Sequence, residues 1–166
     1  DDIIEHLKNL PAGTKIHVDN SSTSVAVADA LANTRIIKGP NICRGLKAIK
    51  NETEIAHLKK TMVKDGVALT RLYKWLEETL EERSIPEAEV AEKLAGFRAE
   101  LPHYFGESFD AIVGYNGNGA IVHYRPYPDT CAHIEKSGIL LLDSGGQYLD
   151  GTTDTTRTIA LGTPTM

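Results

Sequence analysis

The chain has 166 residues, of which 41% are hydrophobic and 25% are charged, an ordinary composition for a globular protein. Its formal net charge of −5 argues against a nucleic-acid surface, because neutralising phosphates needs clustered lysine and arginine. The longest apolar run, residues 138–142, is far shorter than the ~20 residues of a membrane span. We therefore expect neither a nucleic-acid partner nor a membrane partner.

Two further observations concern the compartment and the extent of the protein. Cys43 and Cys131 are the only cysteines, and their wide separation fits neither a disulfide framework nor a CxxC metal site. We therefore expect a reducing, cytoplasmic compartment. The chain begins without methionine inside an amphipathic stretch and ends directly after a strand pattern, so we expect a piece of a longer protein.

The opening part of the chain has the pattern of a small α/β unit. Apolar residues over 3–7 are spaced for one helical face, and residues 15–19 alternate like a strand. Turn and cap residues then precede a short helix over 25–31, and residues 34–37 have the pattern of a second strand. The basic segment 44–51 carries no strong period.

Two amphipathic helices are predicted next. Asn51 is a good N-cap residue, and Glu54 stands three residues later in the capping-box position. An apolar stripe at spacings of three, four and seven then predicts a helix over about 52–82. Ser84 is expected to cap a second helix over 86–101, in which Pro86 suits an early position.

The pattern then changes to β-structure, in which Asp150-Gly151 is the best signal for a two-residue hairpin turn. Because residues 139–142 are apolar on both faces, we expect the two helices to pack on the sheet. Leu72, Trp75 and Leu94 should then be buried. The predicted strands cover residues 109–114, 120–124, 139–143 and 155–161.

Two aspartates near the end of the chain are candidates for a metal site. Asp143 ends a wholly apolar strand, where a carboxylate must be paired, hydrogen-bonded or metal-bound. Asp154 lies 11 residues later, and a turn centred near 148–149 would bring the two aspartates directly opposite each other. Carboxylates that close repel unless cations lie between them. A turn at 150–151 would instead pair Asp143 with Thr158, and both aspartates could equally be turn or cap residues.

Several motifs occur in order along the chain. The strongest is the run DSGGQY at residues 143–148 followed by DGTTDTTRT at 150–158, which resembles the metal-binding hairpin of the aminopeptidase P (Xaa-Pro aminopeptidase) family. Upstream, KNETEI at 50–55 resembles the opening of the catalytic domain, and GNGAIVHYRP at 117–126 resembles the substrate-pocket segment. The ending LGTPT at 161–165 also fits.

The resemblance implies an α/β (α+β) architecture, namely the first half of a pita-bread fold over residues 46–166. Residues 1–45 would be the end of a creatinase-like α/β domain. The family's site holds two divalent metal ions, usually Mn²⁺, and the resemblance maps two of the ligands onto Asp143 and Asp154. Hard oxygen ligands suit Mn²⁺, and a pair of such metals activates water for hydrolysis.

The resemblance also implies the substrate, which is a peptide with proline in the second position. His123 matches the family's substrate-contacting histidine and is the candidate catalytic and substrate-binding residue. The remaining family ligands, one histidine and two glutamates, have no counterpart among the 12 residues after Asp154. We therefore expect these 166 residues to be inactive alone. We also expect the full-length protein to be a homodimer.

Two other classes of function remain open. A prolidase that cleaves dipeptides, or a creatinase, is the closer rival within the enzymes. A non-catalytic pita-bread module that binds peptides or proteins is the rival outside them. The presence of Asp143, Asp154 and His123 favours an enzyme, because a binding module has no need of a buried acidic pair.

Overall fold

A computed structural model describes residues 2–163 and divides the chain into two compact units, Asp1–Lys50 and Asn51–Met166. The last residues of the LGTPT motif, 164 and 165, lie outside the described residues. Among the residues that are described, no helix combines the length and the hydrophobicity needed to cross a membrane.

The first unit contains a parallel strand pair joined by a helix. Ser24 caps the connecting helix by accepting a hydrogen bond from the Val27 amide, so the predicted strand–helix–strand order is confirmed. A third helix begins after Asn41, whose side chain caps it. It covers part of the basic segment in which the sequence shows no strong period. It buries none of its residues, which is why it has no apolar period. The elements are α1 (Asp2–Lys8), β1 (Lys15–Val18), α2 (Val25–Ala30), β2 (Arg35–Lys38) and α3 (Ile42–Ala48).

The second unit begins with α4 (Glu52–Leu80), followed by α5 (Glu87–Ala99). The predicted capping box is confirmed, because the Asn51 side chain accepts from the Glu54 amide while the Glu54 carboxylate accepts from the Asn51 amide. The prediction that Ser84 caps α5 is wrong. Residues Ile85–Pro86 form a short strand, β3, and α5 begins only after Pro86, which has no side-chain cap.

The sheet of the second unit is antiparallel and is centred on one long strand. β4 (Tyr104–Tyr115) pairs with one edge of β6 (Ile139–Tyr148), and β8 (Thr155–Ala160) pairs with the other. The short strand β7 (Gly151–Thr152) continues the hairpin beside the end of β6. A separate short pair joins β3 to β5 (His133–Ile134), which buries Ile85 and explains why the chain stays extended before α5.

The strand predicted over 120–124 is wrong. Asn116–Ala120 forms a 3₁₀ helix, and the chain then turns through His123, whose φ of 57° lies in the left-handed region. The apolar residues that suggested a strand are exposed, since Ile121 and Val122 are 54% and 82% accessible. In this part of the chain, apolar residues are therefore not a sign of a buried strand.

The two helices and the sheet enclose a hydrophobic core, as predicted. Leu72 on α4 and Leu94 on α5 are fully buried against residues of the sheet such as Val113 and Leu142. Trp75 is only half-buried at the margin of this core, and the Lys93 ammonium lies 5.4 Å from the centre of its ring.

A buried arginine links both helices to the sheet. The Arg98 guanidinium on α5 donates to Asp65 on α4, at 2.8 and 3.2 Å, and to Glu107 on β4, at 2.7 Å. It also donates to the Ser144 hydroxyl on β6 at 3.0 Å, and the Tyr148 hydroxyl donates to Asp65 at 2.7 Å. The side chains of Arg98 and Asp65 are 0% and 1% exposed, so neither charged group is in contact with solvent.

Arg98→Ala should destabilise the chain by about 3–5 kcal/mol, because the substitution leaves the buried Asp65 carboxylate without its cation. Urea unfolding followed by Trp75 fluorescence would measure the loss. Lys74→Ala is the matched control, since Lys74 pairs with Glu78 on the exposed face of α4 and should contribute little. A loss below about 1 kcal/mol for Arg98→Ala would contradict the assigned importance of the buried pair.

Candidate active site

The hairpin that carries the two candidate aspartates turns at Leu149 and Asp150. Tyr148 pairs with Gly151 across this two-residue loop, and the same register pairs Asp143 with Thr156. Direct opposition of Asp143 and Asp154 is therefore wrong, and so is a turn at 150–151. The turn is held from outside, because Leu149 donates its amide to the His103 carbonyl and Lys64 binds the Asp150 carboxylate at 2.9 Å.

The observed register nevertheless keeps both aspartates on one face of the hairpin. The Thr153 amide donates to the Gly146 carbonyl, so the pairing continues through the loop and sets Gly145 opposite Asp154. Because side chains alternate along a strand, Asp143 and Asp154 lie on the same face as diagonal neighbours. Residues in this relation are typically ~7–8 Å apart. The burial pattern agrees, since Thr153 and Thr155 on the other face are buried while Asp154 is exposed.

Asp143 has an unsatisfied carboxylate. Its Oδ1 atom is buried and has no hydrogen-bond partner among the described residues. The other buried carboxylates contrast with it, because Asp65 receives hydrogen bonds from Arg98 and Tyr148. A buried oxygen without a donor is costly, and a cation is the partner that removes this cost most completely. Asp143 therefore has the chemistry of a metal ligand.

The backbone near Asp143 is packed too closely for a side chain at Gly145. A Cβ atom at Gly145 would lie 2.0 Å from the Thr153 carbonyl oxygen and 2.3 Å from the Ser108 hydroxyl. Only glycine therefore permits the two strands to close at this point. The Ser108 hydroxyl, moreover, donates to the same Thr153 carbonyl at 3.0 Å, which ties β4 to the far side of the hairpin.

β4 carries a bulge beside Asp143. Ile112 pairs with Asp143 and Phe109 pairs with Gly145, so two residues of β4 face the single residue Ser144 of β6. Bulges re-aim side chains and are frequent beside active sites. Asp110, one of the two bulged residues, forms an exposed ion pair with Arg125 of the segment that carries His123.

His123 lies outside the hairpin, on the turn after the 3₁₀ helix, where its side chain is exposed. The residue that follows it is fixed, because the Tyr124 hydroxyl donates to the Glu87 carboxylate at 2.7 Å. Burial of the phenol and this hydrogen bond to Glu87 raise the pKa of Tyr124 to about 12, so the hydroxyl remains a donor at neutral pH.

Two charged networks were missed by the sequence reasoning, one around Arg98 and one around Glu87. Glu87 is fully buried and accepts hydrogen bonds from four residues between 115 and 132, yet its position after Pro86 indicated only a helix start. No local pattern identifies Glu87 in this role, because its partners lie 28 to 45 positions away, and the partners of Arg98 lie 9 to 46 positions away. Among the residues that the structure describes, no three His, Cys, Asp or Glu side chains are grouped so that they could hold a metal ion.

The family and curated relatives of this chain are peptidases. The model of metallopeptidase family M24 matches residues 56–166. A probable Xaa-Pro aminopeptidase P of Laccaria bicolor is 46% identical over 98% of this chain and 26% of its own length. Xaa-Pro aminopeptidase 1 of Dictyostelium discoideum is 44% identical with the same coverage. The chain thus spans about a quarter of the length of the curated relatives that it matches.

Solved structures share the fold. An X-prolyl aminopeptidase from Caenorhabditis elegans, described as a cytosolic enzyme with a di-nuclear active site, matches with a TM-score of 0.87 and 26% identity. The match covers 99% of this chain and 28% of that one. Prolidase from Pyrococcus furiosus matches with a TM-score of 0.76 at 21% identity, over 99% of this chain and 46% of its own.

Asp143→Asn should stabilise the metal-free chain by about 1 kcal/mol, because it removes the charge from an oxygen that has no donor. The free energy of unfolding would be measured in urea with a chelator present. Asp129→Asn is the control, since it removes the same charge from an exposed side chain and should change little. Destabilisation by Asp143→Asn would indicate that the carboxylate has a partner in the folded chain.

Proposed function

Because the chain belongs to metallopeptidase family M24 and has the mixed helix and strand fold of its pita-bread aminopeptidases, we propose that it is part of an Xaa-Pro aminopeptidase. This enzyme would release the first residue of peptides that have proline in the second position. The names of the relatives that cover nearly the whole chain support this substrate class. The cytosol is the proposed compartment, and the cytosolic enzyme of similar structure supports it.

The observation that carries the proposal is the unsatisfied oxygen of Asp143 on the same hairpin face as Asp154. These two carboxylates would hold divalent metal ions, for which Mn²⁺ is the proposed identity because it prefers hard oxygen ligands. Bound metals of this kind activate water for attack on a peptide carbonyl. The similar structure with a di-nuclear active site supports a count of two metals.

The protein's own residues would supply rigidity and substrate contact. The close approach at Gly145 and the Ser108–Thr153 hydrogen bond hold the hairpin in one arrangement, which limits the movement of Asp143. His123 would contact the substrate, because its ring is exposed on a turn whose following residue is anchored to the protein interior. An imidazole N–H in that position would donate to the scissile carbonyl and orient it.

Asp154→Asn in the full-length protein should lower kcat for a proline-containing tripeptide by far more than tenfold. Asp154 would hold the metal ions together with Asp143, so its loss would weaken metal binding and with it the activation of water that the metals would supply. Asp29→Asn is the matched control, since it removes the same charge from an exposed side chain on α2, outside the hairpin. Retention of more than about a tenth of kcat, a loss of ~1.4 kcal/mol or less, would contradict the role of Asp154 as a metal ligand. Comparison with an Xaa-Pro dipeptide in the same assay would distinguish an aminopeptidase from a prolidase.

The 166 residues alone should bind Mn²⁺ weakly and should not hydrolyse the tripeptide. Two carboxylates cannot fill the coordination spheres of two metals, which take about six oxygen or nitrogen ligands each. Isothermal titration with Mn²⁺ alongside the peptide assay would test this, with Asp143→Asn as the reference for non-specific binding. Micromolar binding together with turnover would show that the proposed need for further ligands is wrong.

A further inference from the structure

We infer that Glu87 is a positioning residue, which presets the segment 115–132 and through it orients His123 toward substrate. The inference rests on the proposed function for the role of His123, and it assigns a purpose to a buried charge that the metal site does not use. The observations that carry it are the contacts of the Glu87 carboxylate, which all lie in this one segment.

Both oxygens of Glu87 are saturated by donors. Oε1 accepts from the Tyr115 amide at 2.6 Å and from the Asn118 side-chain amide at 3.0 Å. Oε2 accepts from the Tyr124 hydroxyl at 2.7 Å and from the Ala132 amide at 2.9 Å. A single side chain thus holds the end of β4, the 3₁₀ helix, the residue after His123 and the approach to β5.

The charge of Glu87 is balanced without a basic side chain. None of the ion pairs among the described residues includes Glu87, which is 0% exposed. It is instead the first residue of α5, a 13-residue helix whose amino-terminal end favours negative charge. Because the compensation comes from the donors of the segment and from the helix end, the carboxylate depends on the segment keeping this conformation.

The base of the segment is fixed independently of its tip. A Cβ atom on Gly114 would lie 2.7 Å from the Gly119 backbone, so the 3₁₀ helix packs directly on β4. The Asn116 side chain accepts from the Ile139 amide at 3.0 Å, which ties the same turn to β6. Beyond these contacts Ile121 and Val122 are exposed, so the tip gains no order from the core. The hydrogen bond from Tyr124 to Glu87 is therefore the buried contact that orders the chain next to His123, whereas the neighbouring Arg125–Asp110 ion pair is exposed.

The first test measures the order of the segment in the 166-residue chain and needs no activity. Glu87→Gln replaces one acceptor oxygen by an NH₂ group that faces donors, and Tyr124→Phe removes only the hydroxyl. Both should raise amide hydrogen exchange in 115–132 by about tenfold or more, while exchange in β6 stays within about twofold. Glu92→Gln and Tyr127→Phe are the controls, because both side chains are exposed on the same two elements. Unchanged exchange in both Tyr124→Phe and Glu87→Gln would overturn the inference, and Tyr124→Phe alone decides it if Glu87→Gln does not fold.

The second test separates positioning from general stability in the full-length protein. Tyr124→Phe should lower kcat/KM for the tripeptide about tenfold or more with unchanged Mn²⁺ content, and it should have almost no effect in a His123→Ala background. An equal loss in both backgrounds would mean that the network acts on folding and not through His123, which would overturn the positioning role. If the wild-type protein hydrolyses no Xaa-Pro peptide, the proposed function fails, whereas the exchange experiment still decides whether Glu87 orders the segment.

Discussion

One buried guanidinium sets the arrangement of the second unit. Burial alone lowers the pKa of Arg98, but hydrogen bonds and charge attraction from Asp65 and Glu107 raise it above its ordinary value, so the group is charged throughout. Burial, together with donation to Asp65, likewise raises the pKa of Tyr148 and keeps that hydroxyl protonated. These partners come from α4, β4 and β6. All of the buried charges are therefore paired in a single alignment of the helices on the sheet. The hydrophobic core supplies the driving force for folding, and this network selects the alignment.

Two adjacent polar residues of β6 have opposite environments. Ser144 points to the helix side of the sheet and is bound by Arg98, whereas Asp143 points to the other side and keeps a buried oxygen without a donor. On the helix side the buried charges around Arg98 are paired, whereas on the opposite side a carboxylate oxygen of Asp143 has no donor or cation. Unpaired buried polar groups of this kind occur at functional sites, where a bound ligand supplies the missing partner. This contrast is the physical basis for assigning the site to the Asp143 face.

Prediction from sequence succeeded where a local pattern carried the information. The long helix α4 follows from its apolar stripe and from the capping box at Asn51, both of which are properties of neighbouring residues. The pattern failed at 120–124, because the apolar side chains of Ile121 and Val122 are exposed on a turn. The two predicted turns of the hairpin, at 148–149 and at 150–151, each differ by one residue from the observed turn. Contacts with Lys64 and His103 fix that turn at Leu149 and Asp150.

The candidate site was predictable only through its motifs, because the features that explain it are non-local. Asp143 and Asp154 belong to a recognisable run, and their shared face follows from the register that the structure supplies. The bulge in β4, the saturation of Glu87 and the role of Arg98 involve partners dozens of residues apart. Such pairings depend on the finished packing, so a sequence pattern with a range of a few residues contains no trace of them.

The tight turn of the hairpin has a consequence for how this sequence can change in length. Adding or deleting one residue between Asp143 and Asp154 reverses the parity of every later position, which moves Asp154 to the helix side of the sheet. Changes of two residues keep the face but shift the aspartate along the strand by a full pleat. The separation of 11 residues therefore fixes the face of Asp154, and homologous genes should tolerate insertions at the exposed residues 127–130 far more readily than between the two aspartates.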